Sequence, residues 1–305
     1  MAKVSIIVPI YNVEKYIERC AESLFRLSYR DVEFIFVNDK STDKSIELLI
    51  NVIEKYNWVK PKVTVINHTK NYGSGKARLT GLNLSTGDYV WFVDSDDWIE
   101  PLALNVLDKG IQDGADLIMM NYIEEYSNFS ELKNLADLTI HNVLINIIPP
   151  SLWKFLIKRQ LLIDNQILPI EGINFAEDFL IAARLTLVAT RIECFRQHLY
   201  HYNCININSY MNNINIFSLE SGAKAVMIVF DFYRHFSKIK SYKKPLIYML
   251  YKRYIDLYSK SPQSDLLVDL KYRIKECNDL LGVMSLFLPP NQISLKVIRC
   301  LVKLL

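Results

Sequence analysis

The first hundred residues alternate two periods of hydrophobicity, and that alternation leaves few folds open. "VSIIV" (residues 4–8) is an unbroken apolar run, as in a strand covered on both faces. Ile17, Cys20, Ala21, Leu24 and Phe25 then recur at helical spacing, with Asn12 placed to cap them. "VEFIFVN" reads as a second strand. The helix after it has Ser41, Thr42 and Asp43 as N-cap candidates and Ile46, Leu49, Ile50 and Ile53 on its apolar face. "KVTVIN" is a third strand, "GKARLTGLNLS" a helix interrupted by Gly81, "DYVWFVD" a fourth strand, 102–112 a helix and "ADLIMMNY" a fifth strand. Strands alternating with helices imply an α/β fold with a mostly parallel sheet flanked by helices on both faces. Ligands of such sheets bind beyond the carboxyl ends of the strands. The polar clusters Asn38-Asp39, 67–76 and Asp94 to Asp97 all fall at those ends.

After Ser127 the alternation stops. "SLWKFLIKRQLLI" reads as helix, "FAEDFLIAARLTLVA" as a strong amphipathic helix and "RIECFRQHLYHY" as mixed strand and loop. Six of the thirteen residues 203–215 are Asn, a composition of turns. Residues 217–260 read as helix rich in aromatics, "SKSPQSD" as a linker, and a short helical tail follows.

Half of the 305 residues are hydrophobic and 23% are charged, which is a globular composition. A net charge of +3 gives no basis for nucleic-acid binding. Five scattered cysteines without a C-x-x-C pair fit a reducing compartment. The start lacks the pattern of a signal peptide, and no apolar run approaches the length of a membrane span. A cytoplasmic location is expected.

The chemistry concentrates in "DYVWFVDSDDWIEP", where an apolar strand runs into Asp94, Ser95, Asp96 and Asp97. Like charges about 4 Å apart repel by roughly 4 kcal/mol at an effective dielectric of about 20, so something cationic must offset them. Oxygen-only ligands suit Mg²⁺ or Mn²⁺ between one or two carboxylates and a diphosphate. Capping of the next helix is the plain alternative. The glycine loop "NYGSGKARLTG" fits neither G-x-G-x-x-G nor the P-loop pattern. A phosphatase of the haloacid dehalogenase type carries its D-x-D on the first strand, whereas here it follows the fourth.

"VSIIVPIYNVEKYIERCAESL", "VNDKSTDKS", "NYGSGKARLTG", "GDYVWFVDSDDWIEP" and "WKFLIKRQLL…FAEDF" together resemble, in order and spacing, family 2 glycosyltransferases of the GT-A fold, over residues 3–209. The resemblance implies a Rossmann-like nucleotide-diphospho-sugar transferase core in residues 1–215, with a helical C-terminal region in 216–305. Within the core, 1–125 would bind the nucleotide sugar and 126–215 the acceptor. It further implies inverting transfer from a nucleotide-diphosphate donor, commonly a UDP-sugar, to a saccharide or lipid-linked saccharide, as in bacterial surface-polysaccharide assembly at the inner membrane face.

By the same resemblance Pro9, Tyr11, Asn12 and Glu14 lie in the first nucleotide-binding loop, and Asp39 accepts a hydrogen bond from the base. Arg78 helps to hold the nucleotide. Asp94, Ser95 and Asp96 form the D-x-D, with Asp96 the metal ligand and Asp94 nearer the ribose. Trp153 and Lys154 line the acceptor side, and Glu177-Asp178 is the E-D pair whose Asp is the general base. Read from the residues alone, Glu177-Asp178 serves equally as a helix N-terminal cap. The sequence departs from the family at Asn38, Lys40 and Leu79, and "NCININS" lacks an Arg to meet the diphosphate. A non-catalytic, nucleotide-sugar-binding relative is the alternative these departures raise. The tail 291–305 places Ile293, Val297, Ile298, Leu301, Leu304 and Leu305 mainly on one helical face and Lys296, Arg299 and Lys303 on another, a pattern of packing helices and of membrane-surface helices alike.

Overall fold

The computed structural model describes residues 2–136, 138–144, 151–206 and 215–279. The 291–305 tail and residues 207–209 of the Asn-rich loop lie outside them. By contacts the chain divides into two units. The first holds Met1–Leu138, Ser151–Gly172 and Val188–Ser209; the second holds Thr139–Pro150, Ile173–Leu187 and Tyr210–Leu305.

The first unit is built on one sheet. β1 (Val4–Ile10) pairs in parallel with β2 (Val32–Asn38) and β4 (Tyr89–Phe92), and β2 with β3 (Val63–Asn67). Every residue of β1 except the half-buried Pro9 is buried, because helices cover both faces, and this is why its sequence is unbroken apolar rather than alternating. Ser5 is the polar exception. Its hydroxyl donates to Glu33 Oε1 at 2.6 Å and accepts from Gly87 N–H at 2.8 Å. Pro9 lies past Ile7↔Phe92, the last register pair with β4, so its missing N–H costs no ladder bond on that side.

Beyond β4 the sheet continues through β8 (Phe155–Lys158), β6 (Leu117–Glu125), β9 (Ile192–Asn203) and the two-residue β5 (Trp98–Ile99), with β7 (Ser130–Lys133) paired to β6. Of these pairings β6–β9 is parallel; β4–β8, β6–β8, β5–β9 and β6–β7 are antiparallel. The sheet is therefore parallel in its first half and mixed in its second. "SLWKFLIKRQLLI" is not the expected helix. It splits into a 3₁₀ turn (Leu152–Lys154), β8 and the short α6 (Arg159–Asp164), since two strands flank it and bury its apolar run. β9 is a single strand of twelve residues rather than mixed strand and loop, with register shifts on both sides of Asn121 in its partner.

α1 (Ile17–Phe25) buries all five residues expected on its apolar face. Asn12 does not cap it; Asn12 has φ 51° and its side chain turns to the next loop. In α2 (Ser45–Lys55) the N-cap is Lys44, and Val52 takes the buried place expected of Ile50, which is 42% exposed. α3 (Ser74–Leu84) runs through Gly81, where a Cβ would lie 2.3 Å from Ile7 Cγ2. Gly81 is the price of seating α3 directly on β1. α4 (Ala103–Gln112) completes the set of expected helices.

The second unit is helical: α5 (Ile140–Leu144), α7 (Glu177–Val188), α8 (Ile216–His235), α9 (Ile239–Lys260) and α10 (Leu266–Asp279). α7 is not amphipathic, because Glu177 and every residue from Phe179 to Thr186 are buried. Asn215 and Ser218 form a reciprocal capping box that starts α8. The linker read in "SKSPQSD" is the break between α9 and α10.

Candidate active site

The parallel register brings the carboxyl ends of β1, β2 and β3 level, pairing Ile10 with Asn38 and Asn38 with Asn67. The loops that leave these ends are laced together. Asn12 Oδ1 accepts from Thr42 N–H at 2.8 Å, Asp43 Oδ2 from Glu14 N–H at 3.0 Å and Glu14 Oε2 from Lys44 N–H at 3.1 Å. Asn12 and Glu14 are thus building parts of the loop, while Tyr11 stands 47% exposed. Asn38 donates Nδ2–H to Asn67 Oδ1 and accepts Ser41 N–H on its own Oδ1, both at 2.8 Å. A carboxylate at this position could not donate the first bond.

Asp39 is nearly enclosed, at 3% exposure. Its Oδ1 accepts from Tyr72 N–H at 2.9 Å and His68 Nδ1–H at 2.7 Å, and its Oδ2 from Gly73 N–H at 2.7 Å. His68 Nε2 lies 2.9 Å from the Thr80 hydroxyl. The carboxylate therefore pins the turn that opens α3, and Oδ2, with one partner, retains accepting capacity. Lys40 follows at φ 65°, the left-handed region that costs a side-chain-bearing residue about 1 kcal/mol.

At the end of β4 the acidic run is divided among different tasks. Arg78 donates to Asp94 Oδ1 at 2.6 Å. Asp97 is fully buried; its Oδ2 accepts from the Tyr200 hydroxyl at 2.6 Å and its Oδ1 from Asn203 N–H at 2.7 Å. The same Tyr200 oxygen accepts from Asp94 N–H at 3.1 Å. Asp97 is therefore the bolt that ties this loop to β9. Ser95 is buried, and Asp96 places Oδ2 on the Asn206 amide at 2.8 Å. Asp94 Oδ2 and Asp96 Oδ1 take no hydrogen bond from another described residue. Burial, then the charge of Asp94, pushes the Asp96 carboxyl up; burial, then Asp96 and Asp94, pushes Asp97 well up. Negative charge here exceeds what Arg78 neutralises, and the spare oxygens fit a hard divalent cation shared with a ligand's oxygens. Among the described residues no group of three or more His, Cys, Asp or Glu forms a complete cage by itself.

Arg19, Tyr200 and Tyr202 were not singled out in the sequence, and they gather around residues that were. Arg19, on α1, lays its guanidinium 3.4 Å over the Trp98 ring and reaches the Asp96 carbonyl at 3.4 Å. His201 stacks on Trp98 at 4.9 Å and lies 2.7 Å from Glu125 and 2.8 Å from Glu100. Trp153 is stacked between Tyr200 (4.4 Å) and Tyr202 (5.5 Å), and Lys154 is fully buried with its ammonium 4.9 Å from both the Tyr122 and Trp153 rings. The alternation in "LYHYN" held the signal: Tyr200 and Tyr202 share one face of β9.

Glu177 and Asp178 open α7 in the second unit, Glu177 buried and Asp178 half-buried. Ala176 precedes them at φ 63°. A side-chain-bearing residue held in that region signals a constraint, and such strain collects at functional sites.

Residues 5–169 match the model of the family described as glycosyl transferase family 2. The chain is 28% identical over 256 residues to a glycosyltransferase of Bacillus subtilis named EpsH, covering 80% of this chain and 72% of that one. To the poly(ribitol-phosphate) beta-N-acetylglucosaminyltransferase TarS of Staphylococcus aureus it is 32% identical over 66% of its length, but spans only 35% of TarS. The crystal structure of TarS residues 1–349 in complex with UDP-GlcNAc superposes with TM-score 0.64 at 22% identity, covering 90% of this chain and 89% of that one. A mannosyltransferase of Pyrobaculum calidifontis in complex with GDP-Man and Mn²⁺ gives TM-score 0.53 at 16% identity, covering 99% and 79%. These two likenesses are of fold.

Proposed function

The chain belongs to glycosyl transferase family 2, with the GT-A fold and the glycosyltransferase activity of that family, and from that premise we propose that it transfers a sugar from a UDP-sugar to a saccharide hydroxyl with inversion. The acceptor is read as a lipid-linked saccharide in polysaccharide assembly, with the enzyme cytoplasmic and peripheral on the inner membrane face. Among the described residues no helix is long and apolar enough to cross a membrane. Residues 1–125 would carry the donor, 126–215 the acceptor, and 216–305 a helical extension. No nucleic acid is involved.

The observation that carries this reading is the division of labour at the end of β4. Asp97 and Arg78 fix the loop, so Asp94 and Asp96 present oxygens that nothing else among the described residues claims. Asp96, with Asp94, would hold Mg²⁺ or Mn²⁺, which supplies Lewis-acid neutralisation of the departing diphosphate. The chain's own residues do the rest. Asp39 Oδ2 accepts from the base, Tyr11 and the loop carrying Pro9, Asn12 and Glu14 flank it, and Arg78 holds Asp94 in place beside the ribose. Trp153 and Lys154 are buried, so their part on the acceptor side would be to support it from beneath through the stack with Tyr200 and Tyr202. Asp178 takes the acceptor's hydroxyl proton as that oxygen attacks, and Glu177 shapes the helix start that aims it.

Titration calorimetry with UDP-sugars, with and without Mn²⁺, tests the donor half. Wild type is expected to bind in a metal-dependent way, and Asp96→Ala to lose that dependence with an unchanged melting temperature. Equal metal-dependent binding by the variant would remove Asp96 from the site.

A further inference from the structure

Residues 232–255 contain seven Lys or Arg and no Asp or Glu. Where this run turns from α8 into α9 it faces solvent. Ser237, at φ 55°, makes the reversal, with Ser237 N–H donating to Arg234 O at 3.0 Å and Lys238 N–H to Tyr233 O at 2.9 Å. Tyr233 and Ile239 are buried beneath the turn. Phe236, Lys238, Lys240 and Lys244 are exposed above it.

Arg234 is neutralised by Asp231 at 3.2 Å and Glu276 at 3.6 Å. Lys238, Lys240 and Lys244 have no ion pair among the described residues. A surface designed only for solubility intersperses both signs; here the acids Asp231 and Glu276 are taken up by Arg234 and Arg273, which leaves the three lysines unbalanced around a 39% exposed Phe236. The Arg234–Glu276 contact also brings the last turn of α10 to this corner. In sequence, residues 280–305 add Lys296, Arg299 and Lys303 and no Asp or Glu.

We infer that the α8–α9 corner is a docking surface for an anionic lipid bilayer, the lysines lying at the headgroups and Phe236 entering the interface. Charge alone would serve a soluble polyanion equally well, but a polyanion gives no role to an outward phenylalanine, whereas aromatic rings sit at bilayer interfaces. The surface uses none of the residues assigned to donor or base, so it stands or falls apart from the reading of the active site.

The test is sedimentation of the full chain with vesicles of phosphatidylcholine, with and without phosphatidylglycerol, over a range of salt. Wild type should bind only the anionic vesicles and be released by salt. The triple variant Lys238→Gln, Lys240→Gln, Lys244→Gln should bind at least about tenfold more weakly. Phe236→Ser should weaken what binding survives at high salt. Circular dichroism melts of the triple variant should match wild type, since its three lysines are exposed. Phe236→Ser also gives up ring contacts with Phe232 and His235 at 4.8 and 5.4 Å, so its vesicle binding is read at a temperature where it is folded. Equal vesicle binding by wild type and the triple variant, or no binding by wild type, overturns the inference. Binding that ignores lipid charge yet is retained on immobilised polyphosphate also overturns it and assigns the corner to a soluble polyanion.

Discussion

Single residues in the first unit carry opposed demands, and Glu33 and Lys40 make them measurable. Burial pushes the Glu33 carboxyl up, but the Lys3 ammonium, the Ser5 and Thr86 hydroxyls and the Thr86 N–H outweigh it and bring it down to about 2 from 4.5. A carboxyl depressed by folding stabilises the folded state above its unfolded value, and that stabilisation is lost as pH falls from about 4.5 towards 2. Glu33→Gln should therefore be less stable than wild type at neutral pH and show a flatter loss between those limits in urea titrations. Parallel pH curves for the two proteins would show that Glu33 carries no such linkage. Lys40 sits at φ 65°, so Lys40→Gly relieves a left-handed side chain at the cost of a more flexible unfolded chain. The net gain should be up to about 1 kcal/mol, read as a higher urea midpoint at unchanged slope. A lower midpoint would mean that the Lys40 side chain itself stabilises the loop.

Elements are governed by what they rest on. α3 rests on β1 through Gly81, and Gly81→Ala would drive a methyl into Ile7, with a Cβ 2.3 Å from Cγ2. Overpacking of this kind costs about 1–3 kcal/mol, and Ile7→Ala in the same chain should recover part of it. If the two losses simply add, the contact is not the cause. The same dependence decides what could be read in advance. β1 to β4 and α1 to α4 were legible because each is a local period set against a sheet covered on both faces. β8 was not, because a four-residue apolar strand beside a short helix has the pattern of one longer helix, and only pairing with β4 and β6 separates them. α7 was mistaken for amphipathic because its buried Glu177 and Arg184 look like a polar face in a list of letters. The strand-end position of the acidic run 94–97 was readable from the apolar strand that precedes it. Arg19, Tyr200 and Asn206 were not, since nothing local announces a partner about 75–110 positions away along the chain.

At the scale of the molecule, a family 2 fold sets a spent carboxylate, Asp97, beside two available ones, Asp94 and Asp96, and the proposed base, Asp178, opens a helix grouped with the C-terminal helices. The proposed function requires Asp94, Asp96 and Asp178 for sugar transfer. Nucleoside-diphosphate release from UDP-sugar in the presence of Mn²⁺ and a saccharide acceptor measures that directly, with wild type compared against Asp178→Asn. Release should require both metal and acceptor, and the substitution should lower kcat by about 10²–10⁴-fold while the donor Kd stays unchanged. Release that is indifferent to the substitution, or a donor affinity that falls in step with kcat, would contradict it.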